Sequence, residues 1–532
     1  MLEPSHRAMN SSLHPLAASQ ELDLGAFIYA TARLPREVPD AKVIVLGQEA
    51  KVFRDAGIGP IEDWKPLEAP ARRRRWFDDG NGTLAVLLAS SSDLDDLIPT
   101  LVAYQIEWNK MRVKMRSLDW PQDDAPSPAG CADALGGSEE DWSRLRAAWG
   151  ANWGARLHDV AGRRLNLRVR MLGGSAVGYA RMTRRWWRPV RATLQQHQLE
   201  DRPIYFVSSN AHSIVNLVTG AAREREQEIT NWVVASDDPD LKPELERFRS
   251  GEAEGSWENF LYFAAREYFS AQPEESDIFE RRSAEERAVG VTHLSSRTAL
   301  RVSAQVIQVD RLDPHALDPR LGVTDAARLA ACPAVIVNVE YPLGLAAYNI
   351  LREITEDTDR LRGVYILGKA ATLNADVGDV MISSVIHDEH SGSTYWLDNA
   401  FSVDDIAPFL VFGSGLDNQR AVTVKSTFLQ NRAYLDYYYR EAFTVVEMEA
   451  GPFCNAVYEI ADVDRYPVGE AVNFSKLPLD YGIIHYASDT PYTQARTLGA
   501  RGLSYFGMDS TYASSLAIVR RVLALEGVLD AP

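Results

Sequence analysis

Residues 445–450 read Val-Val-Glu-Met-Glu-Ala, and residues 487–490 read Ala-Ser-Asp-Thr. The first stretch is an apolar run that turns into a helix through two carboxylates, Glu447 and Glu449. The second sets a carboxylate, Asp489, just beyond another apolar run. Glu449 carries two acceptor oxygens, enough to receive both hydroxyls of a ribose diol, and a place at a helix start favours its charge. Met448 between the two glutamates is a soft surface that would pack under a sugar ring. Asp489, following a buried strand, stands where desolvation would help it keep a proton near neutral pH. One carboxylate holding a sugar and one protonating a departing base point to chemistry at an N-glycosidic bond.

Working outward, residues 301–309 alternate like a strand, and 334–339 (Ala-Val-Ile-Val-Asn-Val) form a continuous apolar run. A turn with Pro342 and Gly344 leads into a helix at 344–356, whose free N–H groups would suit an anion or a sugar oxygen. Strands follow at 363–367, 377–386, 421–424, 443–447 and 482–487. Helices are expected at 449–461 and, closing the chain, at 510–526. Wholly apolar strands alternating with helices predict a mixed sheet covered on both faces.

This half of the chain resembles the purine nucleoside phosphorylase and methylthioadenosine/adenosylhomocysteine nucleosidase superfamily. The matching stretches keep the family's order: the strand, glycine turn and helix at 334–350; Val377-Gly378-Asp379-Val380; Lys425-Ser426-Thr427-Phe428; Glu447-Met448-Glu449-Ala450; and Ser488-Asp489 at the acid position. The resemblance implies an α/β, mixed-sheet, nucleoside phosphorylase-like domain over 291–532. It makes Asp489 the general acid, Glu449 and Met448 the sugar contacts, and Phe428 a ring that stacks on the base. Glu447 and Glu340 are the carboxylates left to activate water. No cofactor or metal is implied, and a homo-oligomer is. The sequence also departs from the pattern. Gly368-Lys369-Ala370 replaces a glycine-rich turn, and the family's phosphate-binding arginines have no counterpart. Hydrolysis is therefore favoured over phosphorolysis, with phosphate left open as a co-substrate.

Residues 1–290 form an α/β domain of no assigned family. Residues 1–20 look like a loose tail. Strands are expected at 42–47 and 84–89, with Ser90-Ser91-Ser92-Asp93 capping a helix over 94–115. Residues 117–141 are rich in turn formers and are expected to be a loop or linker. A strand at 203–209 opens a helix over 211–233. There Ser209, Asn210 and His212 would either point into a strand-end crevice or simply cap the helix. A polar segment, 236–256, precedes a helix at 257–270 and a charged stretch at 273–289. Two basic clusters, Arg72–Arg75 before Trp76 and Arg181–Arg188 around Trp186 and Trp187, suit either nucleotide contact or pairing with acidic neighbours.

A chain of 532 residues calls for two or three domains. A net charge of −18 argues against general affinity for nucleic acid or anionic membrane. Three well-separated cysteines give neither a disulfide framework nor zinc spacing, which fits a reducing cytoplasm. No apolar run approaches the ~20 residues of a membrane span. The expected partner is a small nucleoside or nucleotide. The expected activity is a nucleosidase-like hydrolysis, with the N-terminal domain adding specificity or regulation. The alternatives are a phosphate-dependent phosphorylase and a sensor that binds without turnover.

Overall fold

The computed structural model describes residues 2–69, 71–118, 126–236, 238, 241–272, 277–296, 298–462, 468–474, 476–490 and 505–530. Parts of three expected segments, at 117–141, 236–256 and 273–289, lie outside these. Among the described residues the strands build two mixed sheets with helices around them.

The smaller sheet contains β1 (Val43–Gly47), β2 (Lys65–Ala69), β3 (Arg72–Asp78), β4 (Thr83–Leu87) and β5 (Val169–Met171), in the order β2-β3-β4-β1-β5. β1 runs parallel to β4 and β5, and β3 is antiparallel to β4. After β4 comes the expected helix, Ser91–Arg116, opened by a capping box between Ser90 and Asp93. Its apolar face joins Phe27, Tyr29 and Trp76 in one core.

The larger sheet takes β6 (Ile204–Ser209), β7 (Val291–Leu294), β8 (Ala304–Gln308), β9 (Val335–Glu340), β10 (Leu361–Thr372), β11 (Val380–Asp388), β12 (Thr394–Trp396), β13 (Gly415–Thr423), β14 (Val445–Glu447), β15 (Ala471–Asn473) and β16 (Asp480–Asp489). β10 pairs with β16, β16 with β11, β11 with β13, β13 with β14, and β14 returns to β10, so five strands close a ring. From β10 the sheet runs outward through β6, β9, β8 and β7. Both faces are covered, as the apolar runs require. On β6, Tyr205 and Val207 enter the core that also holds Tyr512 and Leu516. Ile204 and Phe206 enter the core that also holds Ile350 and Phe453.

Four expectations change. The boundary at 290 does not follow the sheets, because β6 pairs on both sides with β9 and β10 in the middle of the larger sheet. The sheets divide the chain between β5 and β6 instead. Within the segment read as a loop at 117–141, Pro128–Leu135 is a helix, with Ser127 accepting from the Gly130 N–H and proline at its first position. The helix expected over 211–233 is broken into Ser213–Thr219, Ala221–Glu224 and Glu226–Ala235. Gly220 causes the break: it has φ +67°, and an added Cβ would stand 2.8 Å from the Ala316 carbonyl oxygen. The tail is not loose. Leu2–Ala8 is a helix, and buried His6 meets His14 at 2.9 Å, which meets Glu107 at 2.7 Å.

Candidate active site

A cavity of about 380 Å³ lies at the C-terminal ends of β6, β9, β10, β14 and β16, where ligands bind in open α/β sheets. Glu447, Met448, Glu449, Ser488 and Asp489 all line it. Its other wall comes from the first part of the chain: Tyr29, Arg33, Arg72–Arg74, Ser90 and Asp93. Two stretches far apart in sequence thus meet across one space.

Glu447 and Glu449 are built differently. Glu447 ends β14 with its carboxylate turned back onto the helix start. One oxygen accepts from the N–H groups of Glu449 and Ala450, both at 2.6 Å, and the other from the Thr423 hydroxyl. Burial, then the neighbouring Glu449 charge, pushes its pKa up to about 8. Glu449 is the N-cap residue of the helix Ala450–Ala461 and accepts from the Gly344 N–H at 3.1 Å. Burial raises it to about 7, against the pull of that N–H and of Arg72. Met448 packs beside Val422, Val424 and Leu435 under the cavity. Asp489, buried at the end of β16, lies beside Ala371 of β10.

The arginine strand explains the opposite wall. Side chains on β3 alternate, so Arg72 and Arg74 share a face and Arg73 takes the other. Arg72 binds Asp96 through two nitrogens, at 2.9 and 2.8 Å, and Arg74 reaches Asp93 at 2.7 Å and Asp96 at 2.6 Å. Asp96 is held far below the usual carboxylate range by these two cations, which outweigh its burial. Arg73 crosses to Glu340 at the end of β9, at 2.8 Å. Glu340 also accepts from Ser303 at 2.7 Å, through the same Oε2 that meets Arg73. The second basic cluster is a docking face. Trp186 and Trp187 are buried, Trp186 donating to the Val302 carbonyl at 2.7 Å, while Arg185 pairs with Glu49 at 2.7 Å.

Several expected site residues stand elsewhere. Phe428 is 1% exposed in the smaller sheet's core, edge-on to Tyr29 with centroids 5.2 Å apart and near His6 at 5.9 Å. Its ring is turned away because the N-terminal helix supplies the aromatic partners. Gly344 is not in the lining. Its N–H is taken by Glu449, and the next one, of Leu345, donates to Ser92 at 2.9 Å. Here φ is +53°, and a Cβ would meet the Ser92 oxygen at 2.3 Å, so glycine is what lets the two walls touch. Ser209 donates to Asn338 at 2.7 Å, and the Asn210 side chain caps the N–H groups of His212 and Ser213 at 2.9 and 2.6 Å. His212 faces a different cavity with Arg266 and His293, and burial holds its pKa down at about 3. Ser208, one residue earlier, is the one that lines the first cavity.

This chain belongs to DUF6909, a family of unknown function, whose pattern matches residues 1–524. No curated protein matches it. Solved structures match part of it. An S-adenosylhomocysteine nucleosidase from Streptococcus pyogenes is 9% identical with a TM-score of 0.31, covering 60% of this chain and 96% of that one. A methylthioadenosine/S-adenosylhomocysteine nucleosidase from Colwellia psychrerythraea, in complex with adenine, is 14% identical with a TM-score of 0.30, covering 45% and 88%. A methylthioadenosine phosphorylase from an Antarctic soil metagenomic library is 9% identical with a TM-score of 0.27, covering 36% and 71%. Likenesses at this level do not say what this chain binds. Among the described residues no helix is long and apolar enough to cross a membrane, and no group of three or more His, Cys, Asp or Glu side chains is placed to hold a metal ion.

Sequence reading missed Tyr29, Arg33, Tyr341 and Lys369. Tyr341 follows β9 with φ +32°, a rare setting for a tyrosine and of the kind that gathers at ligand sites. A tyrosine after an apolar strand has no sequence mark for that. Lys369, an isolated lysine inside an apolar strand, was the one available signal.

Proposed function

We propose that this protein cleaves the N-glycosidic bond of a purine nucleoside or nucleotide, with water as the acceptor. The observation that carries the reading is that Glu449 and Asp489, the two residues picked out by the motifs, line one cavity. In this reading Glu449 receives the sugar hydroxyls and Met448 supports the ring. Asp489 delivers a proton to the base as the C–N bond breaks, so that the base does not leave as an anion. General acid help of this kind is worth roughly 10²–10⁴ in rate. Glu447 fixes the helix start that aims Glu449. The first part of the chain completes the pocket and gives it specificity.

One observation favours binding without turnover. Both Glu447 oxygens accept internal hydrogen bonds and Glu340 is paired with Arg73, which leaves the attacking water without an assigned base. The two readings separate when pure protein is incubated with purine nucleosides and their monophosphates and free base is read by chromatography. Release that collapses in Asp489→Asn supports hydrolysis. Tight binding with no release, unaffected by that substitution, supports a sensor.

A further inference from the structure

Arg72, Arg73 and Arg74 are each matched to carboxylates, so they build the cavity wall without leaving charge free for a ligand. Two other cations on the same cavity differ. Arg33 is 3% exposed, and its guanidinium carbon sits 3.3 Å from the centre of the Tyr29 ring. It donates once, to the Tyr29 carbonyl at 3.1 Å, and its Nε–H has no partner. Lys369 reaches the cavity from β10, beside the strand end that carries Asp489. Among the described residues neither has a carboxylate within 4.0 Å. Lys369 is exposed, so the cost of burial falls on Arg33: a buried cation without a partner is costly unless something else supplies the counter-charge, and arginine cannot shed its proton to escape that cost. Burial lowers Arg33 only to about 10, so it stays charged at neutral pH. Asp489 acts electrostatically on both. Asp96 also acts on Arg33 but is bonded to Arg72 and Arg74, so the Arg33 Nε–H stays open to an anion in the cavity.

We infer that Arg33 and Lys369 form an anion subsite in the Glu449–Asp489 cavity that takes a phosphoryl group, carried by a nucleotide or supplied as inorganic phosphate. The stacked Tyr29 ring fixes the plane of the guanidinium and leaves an in-plane N–H edge for oxygen, the geometry in which arginine recognises phosphate. The inference rests on the proposed function for the rest of the ligand and sharpens its substrate class. It also gives the N-terminal half a direct part in recognition, through a residue on no motif of the C-terminal half.

The test is isothermal titration of the full-length chain with adenosine, guanosine, their 5′-monophosphates and inorganic phosphate, with base release followed in parallel. A monophosphate binding 10–100-fold tighter than its nucleoside, the range of charge-assisted hydrogen bonds, with inorganic phosphate competing, supports the carried phosphate. Nucleoside binding that tightens when inorganic phosphate is added supports the free one. Arg33→Gln and Lys369→Gln are each expected to abolish the preference, with folding checked by thermal unfolding. Lys369→Gln serves as the second variant if Arg33→Gln does not fold. Equal affinity for nucleoside and monophosphate with no effect of phosphate overturns the subsite and leaves glycosidic cleavage standing. Phosphate-dependent binding with no base released keeps the subsite and sinks the cleavage reading. A preference that survives both substitutions overturns the assignment to these residues.

Discussion

Two acidic pairs belong to the two walls of the cavity, which Asp93, Glu447 and Glu449 line, and they are handled in opposite ways. Asp93 and Asp96 stand against Arg72 and Arg74, with hydrogen bonds of 2.6 to 2.9 Å, and two arginines keep Asp96 ionised. Glu447 and Glu449 have backbone N–H groups, a threonine hydroxyl and, 3.9 Å from Glu447, the His485 imidazole that burial keeps neutral. No lysine or arginine among the described residues is at bonding distance, and burial drives both upward. The first pair is a fastening. The second is a pair of carboxyls poised to gain or lose protons near neutrality, which is where perturbed groups with a chemical task gather.

The largest expected effect lies on the fastened side. Asp96→Ala leaves two arginines with a reduced set of partners in a buried place, and breaking such a network costs about 3–5 kcal/mol. Chemical denaturation reads this directly, and a loss below 1 kcal/mol would show that solvent already shields these charges. Next comes the seam between the walls. Gly344→Ala puts a methyl group against Ser92 at a backbone φ of +53°, with a cost of about 1–3 kcal/mol and weaker ligand binding, since the Gly344 N–H orients Glu449. An intact KM in a stable variant would break that link.

The two pairs should also respond to pH in opposite directions. For Glu447 and Glu449 the folded values exceed the unfolded one, near 4.5. The folded chain therefore binds more protons between about 4.5 and about 8, and their contribution to stability is lost as pH rises through that window. Asp96 is depressed, so its contribution is present at neutral pH and lost on acidification. Thermal unfolding across pH should show Glu447→Gln flattening the fall in stability between about pH 4.5 and about 8, and Asp96→Asn flattening only the fall on further acidification. If each variant flattens both falls equally, the distinction between the walls fails. The smallest effect concerns Phe428. Phe428→Leu should cost about 1 kcal/mol of stability, as near-isosteric core changes do, and leave ligand affinity unchanged because the ring packs on Tyr29 and the N-terminal helix.

Much of the large sheet was legible because its strands are wholly apolar runs of strand length, and their alternation with helices restricts the layering. The places of Glu449 and Asp489 at strand ends were legible because each follows an apolar run. What stayed hidden depends on contacts between distant parts of the chain. Nothing local to Phe428 shows that His6 and His14, more than four hundred positions earlier, would turn its ring away from the cavity. Nothing near residue 204 shows that β6 inserts between β9 and β10 and not into the smaller sheet. Arg33 lies in Thr-Ala-Arg-Leu-Pro-Arg, a segment without periodicity or motif, and its unpaired state is visible only when the fold surrounds it. The arginines of β3 were conspicuous, yet Arg72 and Arg74 are taken by Asp93 and Asp96 of the helix Ser91–Arg116, and Arg73 by Glu340 of β9.

The central claim is that Glu449 and Asp489 act on a single bound nucleoside unit. Free purine measured after incubation of the wild-type chain and of Asp489→Asn with purine nucleosides and their monophosphates tests it most directly. The expected result is base released by the wild type and a rate lower by about 10²–10⁴ in the variant, with the ligand still bound. Base released equally fast by both proteins would contradict it.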